Sequence, residues 1–276
     1  MATKRQKVKQ NKTKRKLMLD EIGYCNPKIG KGTKGKCLPS LVRKKLQASS
    51  SMCAADDEHC LLNSAPLPDQ EKQMYRKEYL RPKYPKEWLQ KEDAWLDNFQ
   101  IAEVMKQYEV AYPWFRFMGA LPIDFSAPDP YLPDKTKKQC MHPEICSLDL
   151  RHEYAKGIRG IGFVFNLDPH FKGGSHWVGL YIDIHDIQTP LVSYSDSYGF
   201  KPPALIARLM KALRLQTPNA TLGYNARRFQ NSNTECGMYS MYFIICMIAG
   251  IPFKQFVKDK VPDQFMLDLR KILFTK

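Results

Sequence analysis

An α+β fold, with a mostly antiparallel or mixed sheet around one buried helix, is what this 276-residue sequence predicts. Three observations carry that reading. Three short runs rich in β-branched and aromatic residues lie between positions 160 and 196, each bounded by Gly, Asp or Pro. A run from Cys236 to Ala249 is apolar on all sides and too long for a strand, so it reads as a helix inside the core. Amphipathic helical patterns stand before, between and after these runs, an order that layers helices on a sheet.

The chain begins with an unusual charge distribution. The net charge is +15, and up to Ser49 there are 15 Lys and Arg against only Asp20 and Glu21. Nearly all of the excess therefore belongs to this Gly/Lys-rich segment, which is expected to be disordered or loosely held at its start. Its sign suits DNA or another polyanion. A solvated tail is the plain alternative. Ser40 to Leu46 reads as a short helix with Ser40 as N-cap, and Asp56 to Leu62 as a second. Residues 63–90 contain Pro66, Pro68, Pro82 and Pro85 and read as a linker or extended arm.

Asp97 can cap a helix to about Tyr108, with Ile101, Val104, Met105 and Tyr108 on one face. Residues 115–125 are apolar but hold Pro122, which predicts an irregular strand or loop, and the Pro-rich 126–134 predicts loop. Strands are expected at 160–167, 176–184 and 191–196. A helix follows at 202–215, with Leu205, Ile206, Leu209 and Leu213 apolar, then a strand at 221–229. After the buried helix, 262–274 predicts a last one, with Pro262 in its first turn and Phe265, Leu269, Ile272 and Leu273 on one face.

No run of 18 apolar residues and no apolar segment behind the basic start appears, so neither a membrane span nor a secretory signal is expected. Without an export signal, reduced thiols are the expectation for the eight cysteines.

The candidate chemistry centres on Cys236. The polar loop Gln230-Asn-Ser-Asn-Thr-Glu runs straight into the apolar helix and sets Cys236 at its start. Helix N-termini present free N–H groups and the positive end of the dipole, which favour a thiolate and can hold an oxyanion. Taken alone, a cysteine there is more often inert. His176 opens a strand after Gly173-Gly-Ser, and Asp196 ends the next. Each has an ordinary reading too, a surface histidine and a turn aspartate. Together they supply what a thiol nucleophile needs: a base, and an acceptor that fixes the base's tautomer. Gln230, six residues before Cys236, is close enough in sequence to offer its amide to an oxyanion. Cys140-Met-His142-Pro-Glu-Ile-Cys146 has metal-ligand residue types but a spacing that fits zinc poorly. No metal and no cofactor is called for.

In Trp95-Leu-Asp-Asn98, Ser175-His176-Trp177, Tyr194-Ser-Asp196-Ser197 and Gln230 with Thr234-Glu-Cys236-Gly237, the chain resembles the ubiquitin-like-protein (SUMO-specific) protease superfamily. Within it, the chain looks most like the polyprotein proteases of large DNA viruses of the African swine fever virus type. The resemblance covers roughly residues 88–276. It implies a papain-like or adenain-like core, with residues 1–88 as a basic arm, partly disordered or helical, and 89–276 as the catalytic domain. It implies His176 as general base, Asp196 as its orienter, Cys236 as nucleophile, and Gln230 with the Cys236 N–H as oxyanion hole. Trp177 and Trp95 would flank a channel that admits only a Gly-Gly backbone, since glycine lets flat indoles close from both faces. The African swine fever type carries Asn at the orienting position, where this chain has Asp196.

The implied function is a cysteine endopeptidase that cleaves after Gly-Gly in viral structural polyproteins during virion maturation. Its partners would be polyproteins with Gly-Gly-Xaa sites, and its location the virion core and host cytoplasm. A protease removing a SUMO or ubiquitin-like modifier shares the same chemistry and stands as the alternative. A non-enzymatic, basic nucleic-acid-binding core protein is the third reading.

Overall fold

Two-sided burial of the strands decides the architecture. In the computed structural model, which describes residues 17–49, 52–130, 132 and 139–275, strands in the middle of the chain alternate between two separate cores. Ile161, Phe163 and Phe165 belong to one core and Val164 to the other, and likewise Val178, Leu180 and Ile182 oppose Trp177 and Tyr181. A strand buried on both faces needs no polar alternation, which is why these runs read as almost continuously apolar.

The elements, in chain order, begin with α1 (Leu19–Ile22), a 3₁₀ turn (Pro27–Ile29), α2 (Ser40–Ser49), α3 (Glu58–Ser64), α4 (Asp69–Tyr79) and a second 3₁₀ turn (Lys86–Leu89). Next are α5 (Asn98–Ala111), β1 (Phe115–Pro122), α6 (Pro143–Cys146), α7 (Leu150–Ala155), β2 (Gly160–Asn166), β3 (Trp177–Asp183) and β4 (Leu191–Ser195). The chain closes with α8 (Ala204–Leu215), β5 (Thr221–Tyr224), α9 (Cys236–Ile248), α10 (Phe253–Lys258) and α11 (Asp263–Leu273).

The five strands lie in the order β1-β2-β3-β4-β5. The outer pairs are parallel and the two inner pairs antiparallel, so the sheet is mixed, as expected. Helix α9 lies on β3, and every one of its residues is buried. Gly179 permits this approach, because a Cβ there would stand 2.8 Å from Phe243 Cδ1. The other face is covered by α8 through Ile206, Met210 and Leu213, together with Ile145 and Leu150.

Several expectations need correcting. Residues 63–90 are not a linker: α4 and a 3₁₀ turn lie within them, and Leu80 is buried in a small third core with Leu38, Leu46, Leu61 and Leu62. Two of the prolines that pointed to a linker precede helical turns instead, Pro68 standing just before α4 and Pro85 before the 3₁₀ turn. The segment at 115–125 is a strand to Pro122, its irregularity confined to a register shift between Phe117 and Ala120. The strand expected at 221–229 stops at Tyr224. Helices α6, α7 and α10 were not anticipated; each has at most six residues, too few for a helical period to show.

Reduced thiols are also corrected for six of the eight cysteines. Disulfides join Cys25 to Cys37, Cys53 to Cys60, and Cys140 to Cys146. Cys25 and Cys37 sit within the third core, where a small cluster gains from cross-linking. The basic start expected to be disordered, at 1–16, and part of the 126–134 loop lie outside the described residues. Among the described residues, no helix is long and apolar enough to cross a membrane.

Candidate active site

The antiparallel register of β3 and β4, with Gly179 opposite Ser195, leaves the start of one strand beside the end of the other. His176 precedes β3 and Asp196 follows β4, so both fall at this end, and His176 Nε2 meets Asp196 Oδ1 at 2.8 Å. The loop before His176 is pinned by Asn166, whose side-chain oxygen accepts from Asp168 N–H at 2.9 Å and Ser175 N–H at 3.2 Å. Gly174 takes a φ of +90° there, and a side chain at that position would collide with Asn166.

Asp196 is 1% exposed. Its backbone is clamped on both sides by Asn225, whose Oδ1 accepts the Asp196 N–H at 2.8 Å and whose Nδ2 donates to the Asp196 carbonyl at 2.6 Å. Its Oδ1 also accepts from the Tyr198 N–H at 2.8 Å. The Asp196 carboxylate thus meets His176 before β3 and Tyr198 in the turn after β4, while its backbone is held by Asn225 just past β5.

Helix α9 brings Cys236 to the same place, buried and with a free thiol. The Cys236 sulfur lies near enough to the imidazole to act on its charge. With Nε2 engaged by Asp196, Nδ1 is the nitrogen left for the sulfur. Burial works against a charged ring, but the Asp196 hydrogen bond, the Cys236 sulfur and the Asp196 charge outweigh it and push His176 up to about 9. At neutral pH the proton therefore rests on the imidazole.

The loop before Cys236 is anchored by an ion pair that the sequence did not disclose. Glu235, the N-cap position of α9, makes no capping bond with its side chain. Its carboxylate accepts instead from Arg270 Nε at 2.8 Å, both residues being 1% exposed. The first N–H groups of α9 are consequently left without a side-chain cap, which suits an oxyanion hole. Arg270 also donates to the carbonyls of Ala94 and Thr234, at 2.9 and 3.2 Å, and lies over the Trp88 ring.

Gln230 is completely buried. Its Oε1 accepts from Ser197 Oγ at 2.5 Å and its Nε2 donates to the Ser232 carbonyl at 2.9 Å. A carboxamide nitrogen carries two N–H bonds, so a second donor remains beyond the one given to Ser232. Trp177 Nε1 donates to the Leu96 carbonyl at 2.9 Å, and Gly237 packs under both residues, with space for a Cβ only at 3.3–3.4 Å from Leu96 and Trp177. Trp95 is 49% exposed and, with Trp177, Gly173 and Gly174, lines a groove of about 600 Å³.

The structure therefore brings His176, Asp196 and Cys236 together, places Trp95 and Trp177 on one groove, and ties Gln230 to the turn after Asp196. Sequence reasoning missed Ser197, Tyr198, Asn225, Glu235 and Arg270 as parts of this site. Ser197, Tyr198 and Glu235 adjoin Asp196 and Cys236 in sequence, but Asn225 and Arg270 carry no local signal: Asn225 meets Asp196 across 29 residues and Arg270 meets Glu235 across 35. Cys140 and Cys146, set aside as zinc ligands, are joined to each other.

The chain is similar to several known proteins. A family model described as YopJ serine/threonine acetyltransferase matches residues 135–268. A putative thiol protease of Acanthamoeba polyphaga mimivirus is 29% identical over 226 residues, covering 79% of this chain and 68% of the relative. A cysteine protease of African swine fever virus (isolate Tick/Malawi/Lil 20-1/1983) is 23% identical over 255 residues, covering 87% and 92%. The relative from the Pig/Kenya isolate of that virus, with the same identity and coverage, is described as a SUMO-1 cysteine protease. The fold is similar to the crystal structure of the African swine fever virus protease, with a TM-score of 0.70 at 20% identity over 92% of this chain and 96% of that one.

Proposed function

Given that the chain is a cysteine protease of the ubiquitin-like-protein (SUMO-specific) protease superfamily, we propose that it cleaves after Gly-Gly in viral structural polyproteins during virion maturation. The observation that carries the reading is the 2.8 Å bond from His176 to Asp196 with the Cys236 sulfur on the ring's other side. In the proposed cycle the Cys236 sulfur attacks the scissile carbonyl, and the imidazolium gives its proton to the leaving amine. The freed imidazole then takes a proton from water, which hydrolyses the thioester. The Cys236 N–H and the Gln230 amide hold the oxyanion in both steps.

Glycine specificity is supported by the way Trp177 and Leu96 pack over the first turn of α9, with Trp95 lining the same groove. A residue with a side chain would have to displace an indole.

A thiol acyl-enzyme can pass its acyl group to water or to a hydroxyl. The acetyltransferase description of the family model and the protease names of the relatives thus share one chemistry. The relatives match 79% and 87% of the chain, well beyond residues 135–268, which favours hydrolysis. Removal of a ubiquitin-like modifier is the second reading, favoured by the relative described as a SUMO-1 cysteine protease.

The test is cleavage of Gly-Gly-Xaa peptides and of modifier fusions by the native chain and Cys236→Ala. Peptide cleavage after Gly-Gly, absent in the variant, supports the polyprotein reading. Cleavage of fusions alone transfers support to modifier removal, and cleavage of neither refutes both.

A further inference from the structure

We propose that the cleft between α4 and α5 is a binding site for a small phosphate-bearing anion, with Arg81 on its inner wall and Arg76, Lys77 and Lys83 around it. The cleft has a volume of about 600 Å³, the size of a small-molecule site, and lies away from the catalytic groove.

Arg81 is the reason to look there. It is 1% exposed, yet among the described residues it has no carboxylate partner. Its Nη2 donates to the carbonyls of Ile22 and Gly23 at 3.3 and 3.0 Å and to Tyr108 Oη at 3.3 Å. The buried Nε and Nη1 have no hydrogen-bond partner among the described residues. A guanidinium offers five N–H donors in a planar fork that matches phosphate geometry. The guanidinium lies over the Tyr108 ring, 5.3 Å from its centroid, but no carboxylate faces it among the described residues, and a buried fork left half unmatched points to an anion that completes it.

The surrounding field has the matching sign. Arg76, Lys77 and Lys83 line the cleft, and none is in an ion pair among the described residues. Of the two acids on the wall, Glu78 is already paired with Lys28, and only Glu103 is left. His59, whose Nε2 meets the Arg81 carbonyl at 3.1 Å, reports the field: burial first, and then the charges of Arg76 and Lys83, hold it below the usual histidine range.

A single phosphate bridges the fork of Arg81, and further phosphates reach the mobile ammonium groups at the mouth. The ligand would sit where His59 and Asn63 of α3, Arg76 and Lys77 of α4 and Gln107 of α5 meet, so binding also ties the first part of the chain to the body carrying the sheet.

The experiment is calorimetric titration of the full chain with tripolyphosphate at low and physiological salt, compared with Lys77→Ala/Lys83→Ala and with Arg81→Met. Both lysines are exposed, so the double variant keeps its fold. One-site, salt-sensitive binding that weakens at least about 10-fold in the double variant, and raises the melting temperature of the native chain, is expected. Arg81→Met, if folded by circular dichroism, loses binding altogether. Absence of saturable binding overturns the proposal. So does equal affinity in the double variant, since the anion would then be held by the basic residues nearer the start of the chain.

Discussion

The Tyr198 ring lies stacked on the His176 imidazole, with centroids 4.9 Å apart and planes 25° from parallel. The same tyrosine donates its N–H to Asp196 and its hydroxyl to the Ser232 carbonyl at 3.0 Å, and the Arg228 guanidinium covers its ring. It therefore links the histidine, the residue that orients it and the loop that carries Gln230. The stack holds the plane of the imidazole, which is the part of a positioning residue.

Tyr198→Leu should lower kcat roughly 2- to 10-fold with little change in KM, matching the worth of one aromatic stack. Tyr198→Phe keeps the stack and should recover most of that loss. Steady-state kinetics on a Gly-Gly peptide decides it. A fall in KM and kcat alike for Phe and Leu would place the effect in the lost hydroxyl instead.

The pH behaviour follows from His176. Its folded value, about 9, lies above the ordinary 6.5, so the stabilisation it gives is complete below about 6.5 and is lost as pH rises through about 9. Activity should fall over the same upper limb, because the imidazolium that protonates the leaving amine disappears. Asp196→Asn removes the carboxylate charge and should move that limb towards neutral pH. The pH profile of kcat/KM for the two proteins checks this, and coincident upper limbs would refute it.

The Glu235–Arg270 pair sets the entry to α9. Arg270→Met strands a buried carboxylate and should cost about 3–5 kcal/mol of unfolding free energy. Burial already raises the Glu235 carboxyl above its usual range despite Arg270, so loss of the arginine should raise it further. Glu235→Gln/Arg270→Met should recover part of the stability but not the activity, since the Thr234 and Ala94 carbonyls lose their donor. Urea denaturation alongside peptide hydrolysis separates the two effects.

The thiols divide sharply. Alkylation of the unreduced, unfolded chain should label only Cys236 and Cys246, and labelling after reduction should reach all eight. In the folded chain at neutral pH, iodoacetamide should modify Cys236 alone, because burial pushes the Cys246 thiol up to about 12. Mass spectrometry of the labelled chain reads both results. Reduction should also lower stability, by about 2–4 kcal/mol for each cross-link lost.

Much of this protein could be read from the order of its residues. The two-sided strands, the buried helix at Cys236 and the Asp97 cap depend on local pattern. The cap is seen as Asp97 Oδ1 accepting from the Gln100 N–H at 2.7 Å. The nucleophile, base and orienter could be singled out too, because a thiol at a helix start and polar residues at strand ends are local features that chemistry requires in combination. Gln230 could be picked out by its place six residues before Cys236, and the resemblance to a known superfamily added the two tryptophans. Other features have no local pattern to announce them. The Asn225 clamp, the Tyr198 stack, the Glu235–Arg270 pair and the half-matched fork of Arg81 each join residues 20 or more positions apart. Cysteine pairing likewise depends on which sulfurs the small core brings within reach. Sequence determined which groups can do chemistry and which segments must be buried, because periodicity and residue type act over a few positions. Only the tertiary structure decided what each group faces, because hydrogen bonds and ion pairs form by distance in space and not along the chain.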